Sequence, residues 1–107
     1  MGALPKSKNY LIKMSEITSV IATSSLIHPR EIFRESIRNG STAIIVVHNH
    51  PSGDPSPSKA DLLVAQKLLK SSEIVGVELI DFIILGDARH DPMELGYCSF
   101  RDRRLIG

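Results

Sequence analysis

A β-branched and apolar run, Ser41-Thr42-Ala43-Ile44-Ile45-Val46-Val47, leads straight into His48-Asn49-His50-Pro51-Ser52-Gly53-Asp54-Pro55-Ser56-Pro57-Ser58-Lys59-Ala60-Asp61. The first run has the length and the side chains of a buried strand. The second sets Pro51, Gly53, Pro55 and Pro57 among serines, so the chain must turn there as a loop. From Leu62 to Leu69 apolar residues recur at helical spacing. Strand, rigid loop and helix in that order place two imidazoles at the strand's end. They also bring the Asp61 carboxylate back in the helix's first turn. The rest of the chain has to pack around that unit.

Metal chemistry explains these residue types. His48 and His50 are two apart, so on a regular strand they share one face. Asp61 adds a hard oxygen. Two nitrogens and one oxygen suit zinc at about 2.0–2.2 Å, with a fourth tetrahedral position left for water as in catalytic zinc sites. The same residues also have helix-starting roles. Ser58-Lys59-Ala60-Asp61 fits a variant capping box, with Ser58 as N-cap and Asp61 reaching back from N3. Pro57 at N1 would instead make Ser56 the N-cap. Asp54 serves the turn or replaces Asp61 as the oxygen ligand.

His-x-His, seven residues, then Ser-x-x-Asp, carried here by His48, His50, Ser58 and Asp61, resembles the JAMM signature of the JAB/MPN zinc hydrolases. The longer string from His48 to Ser58, with His28-Pro29-Arg30-Glu31 upstream, resembles the RadC branch, and the resemblance runs from about Asn9 to Phe100. It is unlike an HNH nuclease, whose three residues are dispersed along a ββα unit. The resemblance implies zinc on His48, His50 and Asp61 and a peptide or isopeptide substrate. It implies that Ser58 hydrogen-bonds the developing oxyanion, a role worth about 10²–10³ in rate. The family's general base is a glutamate in a strand before the segment matching Lys8 to Ile12. Met1 to Ser7 holds no acid and carries Pro5, while Glu16 and Glu31 do not match that position. The expected fold is therefore a JAB/MPN (cytidine-deaminase-like) core lacking the first strand and its base. The helix-hairpin-helix region usual in RadC proteins has no counterpart either. Two functions follow: a zinc-dependent metallohydrolase, or a non-catalytic zinc-binding or interaction module related to DNA-repair-associated RadC proteins.

Composition bounds the alternatives. The 107 residues suit one domain, 1–107, with its own core. A net charge of +1 and 5% aromatic residues give no argument for nucleic-acid binding. No run approaches the roughly 18 apolar residues of a membrane span. The single cysteine, Cys98, excludes an internal disulfide and fits a reducing cytoplasm. It reads as a half-buried strand residue. Met1 to Lys8 lacks the apolar segment of a signal peptide.

The remaining elements follow from periodicity and punctuation. Asn9–Met14 and Glu16–Ala22 read as strands joined near Ser15. A helix runs from His28-Pro29, with proline at N1, to Asn39-Gly40, with glycine at C′. Ile32, Phe33 and Ile37 form its inward stripe, and Arg30, Arg34 and Arg38 a solvated row. In the second helix Leu62, Ala65, Leu68 and Leu69 face inward, with Lys59, Gln66, Lys67 and Lys70 outward. Val77 to Leu85 is a strand ending at the Gly86-Asp87 turn, followed by a loop with His90 exposed. Tyr97 to Phe100 is a short last strand, and Arg101, Arg103 and Arg104 form a basic tail. The order β-β-α-β-α-β-β predicts an α+β domain, a mixed sheet flanked by two helices.

Overall fold

The structure is a computed structural model that describes residues 9–14, 17–22 and 28–106, with side chains from His28 onward. Its elements are β1 (Asn9–Met14), β2 (Ile17–Ala22), α1 (Pro29–Arg38), β3 (Ala43–Asn49), α2 (Lys59–Val75), β4 (Glu78–Leu85), a 3₁₀ turn (Ala88–His90) and β5 (Tyr97–Ser99). This is the expected α+β order. Ser15 and Glu16 lie outside the described residues.

The strands form one sheet in chain order, β1-β2-β3-β4-β5. β1 and β2 pair antiparallel, β2–β3 and β3–β4 pair parallel, and β4 and β5 pair antiparallel. Each parallel step needs a crossover, which α1 and α2 supply. The two helices touch each other. Along β3 the side chains alternate: Ile44, Val46 and His48 are buried, whereas Ile45 and Val47 are only partly so. One cluster joins Ile44 and Val46 to Ile32 and Phe33 of α1, Ala65 and Leu68 of α2, and Leu79, Phe82 and Ile84 of β4. The core therefore lies between one sheet face and both helices. Phe82 and Phe100 anchor it, with ring centroids 4.8 Å apart. Burying one such side chain stabilises by about 1.5–3 kcal/mol.

β4 departs from strict alternation. Its partners step from Ile44–Leu79 to Ile45–Asp81, so Ile80 is the extra residue of a bulge. Leu79, Phe82 and Ile84 thus face the core although they are not evenly spaced.

Three side chains sit otherwise than the periodicity suggested. Ile37 is 56% exposed. The buried stripe of α1 is centred on Ile32 and Phe33, and at about 100° per residue Ser36 falls within it while Ile37 lands on the rim. Ser36 is tolerated there because its Oγ donates to the Ile32 carbonyl at 2.8 Å. Leu62 is 36% exposed, because the inward stripe of α2 is Asp61, Ala65, Leu68 and Ser72. That stripe begins with a carboxylate. Cys98 is fully buried rather than half-buried, since it lies opposite Ile84 on the core face and Arg103 Nη1 covers its Sγ at 3.4 Å. No helix among the described residues is long and apolar enough to cross a membrane.

Candidate metal centre

His48 is the next-to-last residue of β3 and inherits the core-facing register of Ile44 and Val46. His50 lies one residue beyond the strand. Its N–H donates to the Leu85 carbonyl at 2.9 Å, so the β3–β4 ladder still holds its backbone. The two imidazoles stand edge to face with centroids 5.2 Å apart.

Asp61 arrives from α2. Ser58 is the N-cap: its Oγ accepts the Asp61 N–H at 3.1 Å, and Asp61 Oδ2 accepts the Ser58 N–H at 2.8 Å. This reciprocal box decides the start of the helix in favour of Ser58 and against Ser56. It also fixes the carboxylate, which is buried and faces both imidazoles. Asp61 Oδ2 lies 3.1 Å from His50 Nε2, and Oδ1 lies 3.4 Å from His48 Nδ1.

The proton positions around Asp61 make the arrangement chemically incomplete. His50 Nδ1 lies 2.9 Å from the Asp54 carbonyl, which can only accept, so Nδ1 carries the hydrogen. In its neutral form the ring turns the lone pair of Nε2 toward Asp61 Oδ2, 3.1 Å away. Two lone pairs facing each other need a cation between them, either a proton or a metal. His48 Nδ1 is buried and has no hydrogen-bond partner among the described residues; Asp61 Oδ1, at 3.4 Å, is an ion-pair contact only if the ring is protonated. Burial, only partly offset by the Asp61 carboxylate, holds the His48 imidazole below its ordinary pKa. The neutral form that this favours is the form that binds metal. One ligand atom from each of His48, His50 and Asp61 lies within 4.8 Å of the others, and these residues could hold a metal ion.

Asp54 is not in that group. Its Oδ1 accepts from Ser56 N–H at 2.9 Å and Ser56 Oγ at 2.6 Å, bonds that lower its carboxyl pKa and close the turn. The sequence offered Asp54 as a turn residue or as a ligand; it is a turn residue whose carbonyl orients His50. That second role had no signal in residue type, since any residue has a carbonyl. His28 is exposed before α1 and makes no side-chain cap bond. His90 is exposed in the 3₁₀ turn, with Nδ1 3.7 Å from Asp87 Oδ2.

The family model of the RadC-like JAB domain matches residues 3–105. The chain belongs to this family. Its RadC-like relatives include a UPF0758 protein of Desulfitobacterium hafniense, 43% identical over 100 residues that cover 94% of this chain and 41% of the relative. A UPF0758 protein of Staphylococcus carnosus is 49% identical over 92 residues, covering 85% and 41%. One from Methanosarcina mazei is 40% identical over 100 residues, covering 94% and 41%. The chain thus spans about two fifths of the length of these relatives. The RadC-like domain and its His-His-Asp group therefore coincide in one stretch of chain.

Proposed function

We propose that this domain is a zinc-dependent metallohydrolase acting on amide bonds of the peptide or isopeptide type. The observation that carries the reading is the convergence of His48, His50 and Asp61, with one ligand atom of each within 4.8 Å of the others, and a buried His48 Nδ1 that has no hydrogen-bond partner among the described residues. Two imidazoles and one carboxylate suit zinc better than magnesium or calcium. A bound zinc ion would supply Lewis-acid polarisation of a water and of the scissile carbonyl. The protein's own groups do the positioning. The Asp54 carbonyl fixes the His50 ring, and the capping box fixes Asp61. Ser58 accepts the Asp61 N–H through a lone pair, which keeps its hydroxyl hydrogen available to an oxyanion. The buried Cys98 fits a reducing compartment, and we assign the domain to the cytoplasm.

A second reading, a zinc-binding module with little turnover, rests on a specific observation. Among the described residues no fourth histidine, cysteine, aspartate or glutamate joins the group. Proton transfer to an amine leaving group would then lack a positioned carrier, a deficit of about 10²–10⁴ in rate. On that second reading the zinc-loaded chain would hydrolyse slowly. Peptide and isopeptide substrates assayed with zinc-loaded protein, and with Glu16→Gln, separate the two readings. Slow turnover indifferent to Glu16→Gln supports the module. Robust turnover lost on Glu16→Gln would make Glu16 the base and the domain a complete hydrolase.

A further inference from the structure

We propose that Gly86, with the Asp87 amide, is a positioning clamp that sets the loop carrying His50 at its metal-binding distance. The inference rests on the metal reading above. Gly53, three residues after His50, donates its N–H to the His50 carbonyl at 3.0 Å, and its own carbonyl accepts the Asp87 N–H at 2.6 Å. The ligand loop is thereby bonded to the turn that follows β4. The approach is close enough to exclude any side chain. A Cβ on Gly86 would stand 2.3 Å from Gly53 O and 2.8 Å from Pro55 Cδ, against 3.4–4 Å for ordinary contact.

The backbone of Gly86 does not itself demand glycine. Gly40, Gly53, Gly76 and Gly96 have positive φ, but Gly86 does not. What requires glycine there is the neighbouring loop. Gly86 is also unable to retreat, because its N–H donates to the Gly96 carbonyl at 2.8 Å and Gly96 N–H is held in turn by Asp91 Oδ2 at 2.9 Å. A methyl group on Gly86 must therefore push the Gly53–Pro55 segment outward. That segment includes Asp54, whose carbonyl holds His50 Nδ1 at 2.9 Å. Metal sites hold their ligand distances to about 0.2 Å, so a displacement several times larger disturbs ligation.

The test compares zinc affinity, by competition with a chromophoric chelator, in wild type, Gly86→Ala and Gly76→Ala. Gly76 has φ +76° and a methyl group on it would meet nothing within 4 Å, so its substitution strains the backbone away from the ligand loop. We expect Gly86→Ala to weaken zinc binding about 10–100-fold, the range of outer-shell changes. Gly76→Ala should lower the melting temperature and leave zinc affinity unchanged. A second measurement needs no variant. Coupling is reciprocal, so zinc saturation should slow hydrogen exchange at the Asp87 amide more than at the Gly76 amide. Zinc affinity unchanged in Gly86→Ala overturns the clamp and leaves the metal reading standing. If Gly86→Ala does not fold, an Asp87 amide indifferent to zinc overturns it equally. Wild type that binds no zinc removes the metal reading and the clamp together.

Discussion

Asp61 and Asp91 are both buried aspartates whose carboxylates accept backbone N–H bonds beside a loop, and they differ in what else they face. Asp91 accepts from Met93 at 2.9 Å, Leu95 at 3.0 Å and Gly96 at 2.9 Å, and so shapes the connection between β4 and β5. Asp61 accepts the Ser58 N–H and turns the rest of its charge to two imidazoles. Backbone amides are fixed donors that never lose their hydrogens, so a carboxylate engaged by several of them is complete. An imidazole nitrogen is a donor or an acceptor according to its protonation. The carboxylate beside two of them is complete only with a cation. The same bond chemistry thus builds a loop in one place and leaves a site in the other.

The comparison breaks most visibly in metal affinity. Asp61→Asn keeps an amide oxygen for the cap but removes the charge, and should weaken zinc by more than the roughly 100-fold upper end of outer-shell effects. Asp91→Asn leaves all three candidate ligands in place and should weaken zinc far less. Isothermal titration of both variants checks the contrast, and equal losses would erase the distinction drawn between the two carboxylates.

The next effect is on stability. Zinc at about 100 times its dissociation constant should raise the unfolding free energy of wild type by about 2.7 kcal/mol. Denaturant melts of Asp91→Asn should show the same increment from a lower start, and those of Asp61→Asn none. An increment retained in Asp61→Asn would place the metal elsewhere.

Ser58→Ala sharpens the comparison further, since it removes half of the box that holds Asp61. The cost should be about 0.5–2 kcal/mol of stability, read from the same melts, with zinc stoichiometry intact. Any hydrolytic rate should fall too. A full rate with reduced stability would limit Ser58 to capping.

The smallest effect is a pH dependence. Burial pushes the Asp91 carboxyl up, but the amides of Met93, Gly96 and Leu95 outweigh it, so its pKa is lowered. A lowered folded pKa means that its contribution is complete above the unfolded carboxylate value, about 3.9. It is lost as pH falls through the folded value. The melting gap between wild type and Asp91→Asn should therefore be constant near neutrality and shrink in acid. A gap that widens in acid would reverse the sign.

Much of this was legible in the sequence. The strand–loop–helix unit announced itself because β-branched residues, prolines and helical spacing follow one another from Ser41 to Leu69, although the choice of Ser56 or Ser58 as N-cap needed the structure. The group of residues that could hold a metal ion, His48, His50 and Asp61, was legible because metal chemistry restricts residue types and the loop restricts where they meet. Less legible was anything decided by one helical step or by backbone atoms. Ile37 and Ser36 are neighbours, and only the packing direction of α1 tells which is inside. Leu62 lost its inward place to Asp61, a polar residue that hydropathy sends to the surface. The Asp54 carbonyl and the close approach at Gly86 involve no side chain whose identity could signal them.

Everything proposed for the site depends on His48, His50 and Asp61 together holding one zinc ion. Metal analysis of purified protein after zinc loading and removal of excess, in wild type, His50→Ala and His90→Ala, tests this most directly. The expected result is about one zinc per chain in wild type and His90→Ala, and most of that metal lost in His50→Ala, which leaves only two of the usual three protein ligands. Zinc content unchanged in His50→Ala would contradict it.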